Sequence, residues 1–249
     1  MQFNEKVVLI TGGAAGIGRS AALKFAAEGA QVLITGRTEQ PMRDLCDAYK
    51  LIDYLVADIS DPSAAVMTIE KTIARFGRLD VLVNNAGAGA VMPLADVDND
   101  FLTQLFAVNV FGPSLLAKEA QSHLVNARGC IVNVSSTYGH KAAANLSHYA
   151  ASKAALEHLT RCWALELSGS GVRVNAVAAG PTETEFLAKR MGLTEEQVSA
   201  VKTSERARIP LGRRGEPDDV AQWIVALASP SASWVTGQII TVDGGLNIT

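Results

Sequence analysis

The chain has 249 residues, 48% of them hydrophobic and 19% charged, with a formal net charge of −3; that is enough apolar material for a large core and an ordinary globular mix rather than a disordered one. The charge balance and the scatter of the basic residues, with Arg213-Arg214 read as a short surface pair, argue against nucleic acid or an anionic membrane as partner. Cys46, Cys130 and Cys162 suggest buried free thiols rather than a disulfide or metal framework, and with no signal-peptide pattern and no stretch read as apolar enough to span a membrane, a cytoplasmic location is expected.

Strand-like and helix-like segments alternate. Lys6 to Ile10 reads as a strand ending in Thr11-Gly12-Gly13, followed by a helical pattern through Ile17, Ala21 and Phe25 to Gly29. Val32 to Thr35 is the next strand, a helix starts near Pro41, and Leu55 to Ala57 closes a third strand. A helix from about Pro62 to Phe76 stops at Gly77, and the strand Val81 to Val83 ends at Asn84-Asn85-Ala86-Gly87. Then come a long helix from Phe101 to Leu124, a strand from Cys130 to Val134 ending at Ser135-Ser136, a helix from Tyr149 to Leu167 and a strand from Val172 to Val177. A helix near Val220 to Leu227 and a strand from Gln238 to Val242 finish the chain. Six or seven short strands alternating with helices predict an α/β fold: a Rossmann-type doubly wound parallel sheet, covered on both faces, in one domain spanning 1–249. Residues 184–216 are less regular and more charged, and read equally as a lid or a solvated connection.

Two places in this pattern carry chemistry. Thr11-Gly12-Gly13-Ala14-Ala15-Gly16-Ile17-Gly18 lies between the first strand and the first helix, where a tight turn and a helix N-terminus suit a pyrophosphate. The second strand ends in Thr35-Gly36-Arg37 with no carboxylate for the ribose hydroxyls, and Arg37 suits a 2′-phosphate, so NADP(H) is expected with NAD(H) as the alternative. Tyr149-Ala150-Ala151-Ser152-Lys153 puts a phenol and an ammonium on one helix face, an arrangement expected to lower the tyrosine toward the working pH and fit it for proton transfer. Ser136, at a strand's C-terminal end, is placed to hydrogen-bond a developing alkoxide.

Together these motifs resemble the short-chain dehydrogenase/reductase family in its branch of about 250 residues, over essentially the whole chain from Lys6. The resemblance rests on the glycine-rich turn, Asn84-Asn85-Ala86-Gly87, Asn109, Ser136, Tyr149 with Lys153, and Asp243-Gly244-Gly245, in that order. It implies that Tyr149 is the acid/base, that Lys153 tunes it and holds the nicotinamide ribose, that Ser136 binds the substrate oxygen, and that Asn109 bends a helix and holds a relay water. Ser135 is implied to be a structural strand end. Gly12, Ala15, Gly16, Ile17 and Gly18 are implied to meet the cofactor phosphates, and Asp58 and Ile59 to cradle its adenine. Asn85, Ala86 and Gly87 would run along its ribose, and Gly180, Thr182 and Thr184 would meet its carboxamide. The family's usual Pro-Gly before that last stretch is replaced by Ala179-Gly180, which implies a looser loop. The resemblance further implies a homo-oligomer, commonly a tetramer, acting on a small carbonyl or alcohol.

Other residues read as ordinary. His123, His140, His148 and His158 form no metal constellation, and His140 and His148 are expected to pack in a loop rather than touch substrate. Trp163, Trp223 and Trp234 read as core or subunit interface, and Glu183 and Glu185 as solvated loop charges. The leading reading is a ketone reductase or alcohol dehydrogenase. Alternatives are a 3-oxoacyl-carrier-protein reductase, a non-catalytic dinucleotide-binding regulator, or a different chemistry such as epimerisation on the same site.

Overall fold

The computed structural model describes residues 1–249. In chain order its main elements are β1 (Val7–Thr11), α1 (Gly16–Ala27), β2 (Gln31–Gly36), α2 (Glu39–Ala48), β3 (Ile52–Val56), α3 (Pro62–Phe76), β4 (Val81–Asn84), α4 (Asn99–Phe106), α5 (Gly112–Ala127), β5 (Cys130–Ser136), α6 (Ser147–Ser168), β6 (Arg173–Ala179), α7 (Phe186–Lys189), α8 (Glu195–Arg208), α9 (Pro217–Ala228) and β7 (Ile239–Val242). All seven strands join one parallel sheet in the order β3-β2-β1-β4-β5-β6-β7, which is the doubly wound arrangement expected.

Alternate strand residues face opposite layers, so each apolar strand serves two cores. Val8, Ile10, Val32 and Val132 meet Phe25 of α1, Met42 of α2 and Ile224 of α9. Val7, Leu9, Leu33 and Ile131 meet Ile69 of α3, Leu116 of α5 and Leu167 of α6. Because the strands are parallel, Thr11, Gly36, Asn84, Ser136 and Ala179 end on the same edge. Strand order reverses between β1 and β4, and open sheets of this kind take ligands in the crevice at that edge.

Several boundaries differ from the sequence reading. α2 starts at Glu39, with Pro41 inside its first turn, where a missing N–H costs nothing. β3 starts at Ile52, three residues earlier than expected, because backbone pairing with Val32–Gly36 outweighs the polar Asp53. The long helix is broken into α4 and α5 by a π-helical stretch, Ala107–Phe111, centred on Asn109. Contrary to the expectation for membrane spans, 99–127 is long and apolar enough to qualify by composition. Its Leu116, Ala120 and Leu124 are buried in the core. Of the thiols only Cys130 is buried; Cys46 and Cys162 are half-buried.

Residues 184–216 fold into α7 and α8. A capping box starts α8: the Thr194 hydroxyl accepts from Gln197 N and the Gln197 side chain accepts from Thr194 N. Arg214, expected on the surface, is 4% exposed. It donates to the Thr182 carbonyl at 2.6 Å and pairs with Glu183 at 3.2 Å and with Glu205, partners that offset the cost of burying a guanidinium. Glu183 also pairs with Lys202 and Arg206, so it is a structural charge rather than a solvated one.

The N-terminal edge is fixed by Asp80, whose carboxylate accepts from Lys6 Nζ (3.0 Å), Val7 N (3.0 Å) and Arg78 (2.7 and 2.8 Å). A cavity of about 440 Å³ opens beside it, far from the strand ends; among its lining groups, Arg173 is spent on the carbonyls of Leu227, Ala228, Ser229 and Val235. Burial opposes ionisation of Asp80, but Arg78, Val7 N–H and Lys6 hold the carboxyl below the usual range. Asp80→Asn should therefore cost about 2 kcal/mol in urea unfolding at neutral pH. The contribution is complete above the unfolded value of about 3.9 and is lost as pH falls through the lower folded one. The parent and variant curves should accordingly begin to converge only below about pH 4 and meet below the folded value.

Candidate active site

The turn after β1 is tied to the end of β4. Gly12 and Gly16 have φ of 66° and 51°, a region that glycine enters without strain. Asn85 Nδ2 donates to the carbonyls of Thr11 (2.8 Å) and Gly12 (3.2 Å), and the Thr11 hydroxyl accepts from Asn85 N (3.0 Å) and Ala86 N (2.9 Å). Asn85 thus spends its amide on holding the turn, and Thr11 proves to be its fastening. Ala15 caps α1 without a side-chain hydrogen bond, which leaves the first N–H groups of the helix, at Gly16, Ile17 and Gly18, for an anion. A Cβ on Gly18 would lie 2.4 Å from Gly12 O and 2.5 Å from Asn85 Nδ2. Bare backbone, free N–H groups and a helix dipole fit the pyrophosphate of a dinucleotide.

Arg37 follows β2 at the same edge and lies 3.9 Å from Asp58. Burial raises the Asp58 carboxyl, but the Ser60 N–H and hydroxyl, with Arg37 and Arg190, bring it below its ordinary value. Arg190, just past α7, thus adds a second guanidinium here; burial and Arg37 both disfavour its charge, and Asp58 supports it. Ile59 lies against the backbone of Gly112 at the start of α5.

The chemical end gathers on α6. Lys153 is 4% exposed and donates from Nζ to the Val134 carbonyl at 3.0 Å. A Cβ on Gly87 would lie 3.4 Å from Lys153 Nζ and 3.6 Å from Asn109 Oδ1, so these three groups converge. Asn109 is fully buried; its Oδ1 accepts from Ala88 N and its Nδ2 donates to Ala88 O and Ser152 Oγ, each at 2.9 Å. Ser152 Oγ in turn donates to the Tyr149 carbonyl at 2.7 Å. The side-chain amide of Asn109 is therefore committed to clamping the 88 loop to α6, which explains the π-helical widening around it.

Tyr149 corrects one expectation. Burial pushes its phenol above the ordinary value and the Ser136 hydroxyl opposes that; the ammonium of Lys153 is turned to Val134 instead of lowering it. Burial pulls Lys153 itself down to about 8, against the pull of Glu157. Ser136 begins the turn after β5, its hydroxyl accepting from Tyr138 N at 3.3 Å. On the far side, the Phe186 ring centroid is 6.4 Å from that of Tyr149. Thr184 lies against Gly16, and Thr182 is buried with its hydroxyl donating to Gly180 O at 2.9 Å. Gly180 packs so closely on Asp243 that a Cβ would lie 2.4 Å from its side chain. The loop is held there without the extra proline.

Residues 12–247 match the family model described as enoyl-(acyl carrier protein) reductase. The chain belongs to the short-chain dehydrogenase/reductase family. It is 39% identical to the 3-oxoacyl-[acyl-carrier-protein] reductase FabG of Thermotoga maritima, over 100% of both chains. It is also 39% identical to the cis-4-hydroxycyclohexanecarboxylate dehydrogenase of Sinomonas cyclohexanicum, covering 98% of this chain and 97% of that one. A short-chain dehydrogenase/reductase from Caenorhabditis elegans, solved with its cofactor, superposes with a TM-score of 0.92 at 34% identity, covering 100% and 97% of the two chains. As a short-chain dehydrogenase/reductase the protein is an oxidoreductase acting on CH–OH groups of small molecules, and it binds a nicotinamide dinucleotide.

Sequence reasoning missed Thr11, Ser152, Glu157, Arg190 and Arg214. Ser152 sits inside the Tyr149–Lys153 motif and Glu157 continues its four-residue spacing, so both were readable in principle. Arg190 and Arg214 reach their partners only through the fold of 184–216. In this short-chain dehydrogenase/reductase, Gly18→Ala should weaken dinucleotide binding at least about tenfold, roughly 1.4 kcal/mol. Nicotinamide fluorescence titration reads the affinity, and circular dichroism checks that the fold survives.

Proposed function

We propose that the protein is an NADP(H)-dependent reductase of ketones or aldehydes, running also in reverse as an alcohol dehydrogenase, with Tyr149 as acid/base. The observation that carries this reading is the convergence of Lys153, Gly87 and the Asn109 clamp one helical turn from Tyr149, which lies beside Ser136, at the sheet edge that holds the glycine-rich turn. The nicotinamide, when bound, supplies or accepts the hydride. The Ser136 and Tyr149 hydroxyls hydrogen-bond the substrate oxygen as negative charge develops, and Tyr149 gives up its proton. Lys153 holds the ribose end and resupplies that proton. Because the Asn109 side chain is spent on Ala88 and Ser152, a relay water would be held by its backbone. Residues 184–216 serve as the lid of the one domain, with Phe186 over the substrate. Tyr149→Phe should lower kcat by at least about a hundredfold and leave cofactor affinity within twofold; rapid residual turnover would overturn the assignment.

The preference for NADP(H) rests on Arg37 and Arg190 beside a single carboxylate, Asp58, a net positive site for a 2′-phosphate. Paired fluorescence titrations with NADPH and NADH should show tighter NADPH binding, reversed in Arg37→Asp. Equal affinities in the parent would remove this assignment.

The two relatives at 39% identity differ in substrate, an acyl thioester on a carrier protein for one and a hydroxycyclohexanecarboxylate for the other. The exposed apolar side chains Val91 and Leu94, in the stretch that follows the 88 loop, favour a small, partly apolar ketone. Parallel assays with acetoacetyl-CoA, ethyl acetoacetate and cyclohexanone separate the readings. A homo-oligomer is supported by exposed apolar side chains: Leu165 on α6, 81% exposed, and Phe111 ahead of α5. Light scattering should then give about four times the 26.2 kDa of one chain. A cytoplasmic location agrees with three unpaired thiols.

A further inference from the structure

The helix that carries Tyr149 and Lys153 presents a third functional group at the same spacing. Glu157 is 3% exposed, one turn beyond Lys153. Its Oε1 accepts from Ser135 Oγ at 2.9 Å and faces His140 Nδ1 at 3.1 Å. His140 Nε2 lies 3.2 Å from the Thr241 hydroxyl on β7. The backbone of Gly139 rests on the carboxylate so closely that a Cβ there would lie 2.5 Å from Oε1. A buried carboxylate must be paired or hydrogen-bonded to persist, and this one is wedged between the active-site helix and the turn that begins at Ser136.

We propose that Glu157 is a positioning residue of the reductase site: its carboxylate sets a negative charge one helical turn from Lys153 and, through His140, pins the turn that carries Ser136. The inference rests on the roles of Tyr149 and Lys153 given above. Both contacts of His140 are satisfied with Nδ1–H donating to Glu157 and Nε2 accepting from the Thr241 hydroxyl. The titratable groups facing Glu157 are Lys153 on its own helix and His140 on the turn. β5 presents only the Ser135 hydroxyl, and Asp243 after β7 is spent on Thr137, Gly245 N and Asn247 N. Burial disfavours the charge of Lys153 and Glu157 supports it, so removing the carboxylate should lower the pH at which Lys153 gives up its proton. The pin acts separately. His140 N and Lys141 N donate to the Thr137 carbonyl and Tyr138 N to Ser136 Oγ, so anchoring the imidazole anchors the Ser136 hydroxyl.

Both roles are tested on the whole protein without substrate. In protein labelled with [ε-13C]lysine, the Lys153 resonance is assigned by its loss in Lys153→Arg and followed against pH. In Glu157→Gln its midpoint should fall by at least about half a pH unit, whereas Glu157→Asp should stay closer to the parent. An unmoved midpoint in Glu157→Gln, or an equal fall in both variants, overturns the charge role. His140→Gln keeps the carboxylate and serves even where Glu157→Gln does not fold. Amide exchange over residues 137–141 should quicken about tenfold, an opening cheaper by roughly 1.4 kcal/mol, and unchanged exchange overturns the pin. Neither readout depends on turnover: failure here leaves the Tyr149→Phe result intact, and rapid turnover by Tyr149→Phe would remove the reductase reading while both measurements stand.

Discussion

A lysine ammonium buried between a helix and a β-sheet must be surrounded by groups that make its charge tolerable, and the candidate active site is organised around that requirement. Lys153 has the Val134 carbonyl as its hydrogen-bond acceptor and Glu157 as its facing charge. The carbonyl reaches it only because α6 lies on β5, whereas Glu157 is one turn along the same helix. The helix is kept there by the Asn133–Thr160 bond and by the Asn109–Ser152 bond, two buried contacts a few turns apart. The same Asn109 clamp holds the 88 loop and widens the helix into the π-helical stretch. Lysine, loop and helix break are thus one arrangement, and substituting Asn109 would disturb all three at once.

A second dependence runs along the sheet edge. Thr11, Asn85 and the glycine turn fasten the ends of β1 and β4 to each other, while Asp80 fastens their beginnings. The crevice between these strands is therefore braced at both ends, and a ligand laid across it meets backbone that does not have to be ordered first.

The strand–helix alternation was readable because parallel strands buried on both faces are continuous apolar runs, and the phosphate turn because its glycines are forced by close backbone approach. Tyr149, Lys153 and Ser136 were readable from local spacing and from the resemblance to the family. Three kinds of feature were not. The π-helical break leaves no clear mark in apolar periodicity; the bend at Asn109 was implied only by the family resemblance. β3 was read short because Asp53 and Tyr54 owe their extended backbone to pairing with β2. Arg214 looked like half of a surface pair, yet its partners Glu183 and Glu205 lie 31 and 9 residues away along the chain and meet it only when α8 has folded. Local reasoning also assigned the wrong neighbour to the phenol of Tyr149: helix spacing puts Lys153 on its face, but the nearest carbonyl claims the ammonium.

The burial of Arg214 also bears on how the enzyme can change over evolutionary time. Its contacts to Thr182, Glu183 and Glu205 root both ends of the 184–216 excursion. The part nearest Tyr149, α7 with Phe186, hangs between these roots and adds little to the buried core. Substitutions and short insertions in α7 can therefore change what stands beside Tyr149 without disturbing the sheet, so this segment is free to diverge while the helix that carries Tyr149 and Lys153 stays fixed.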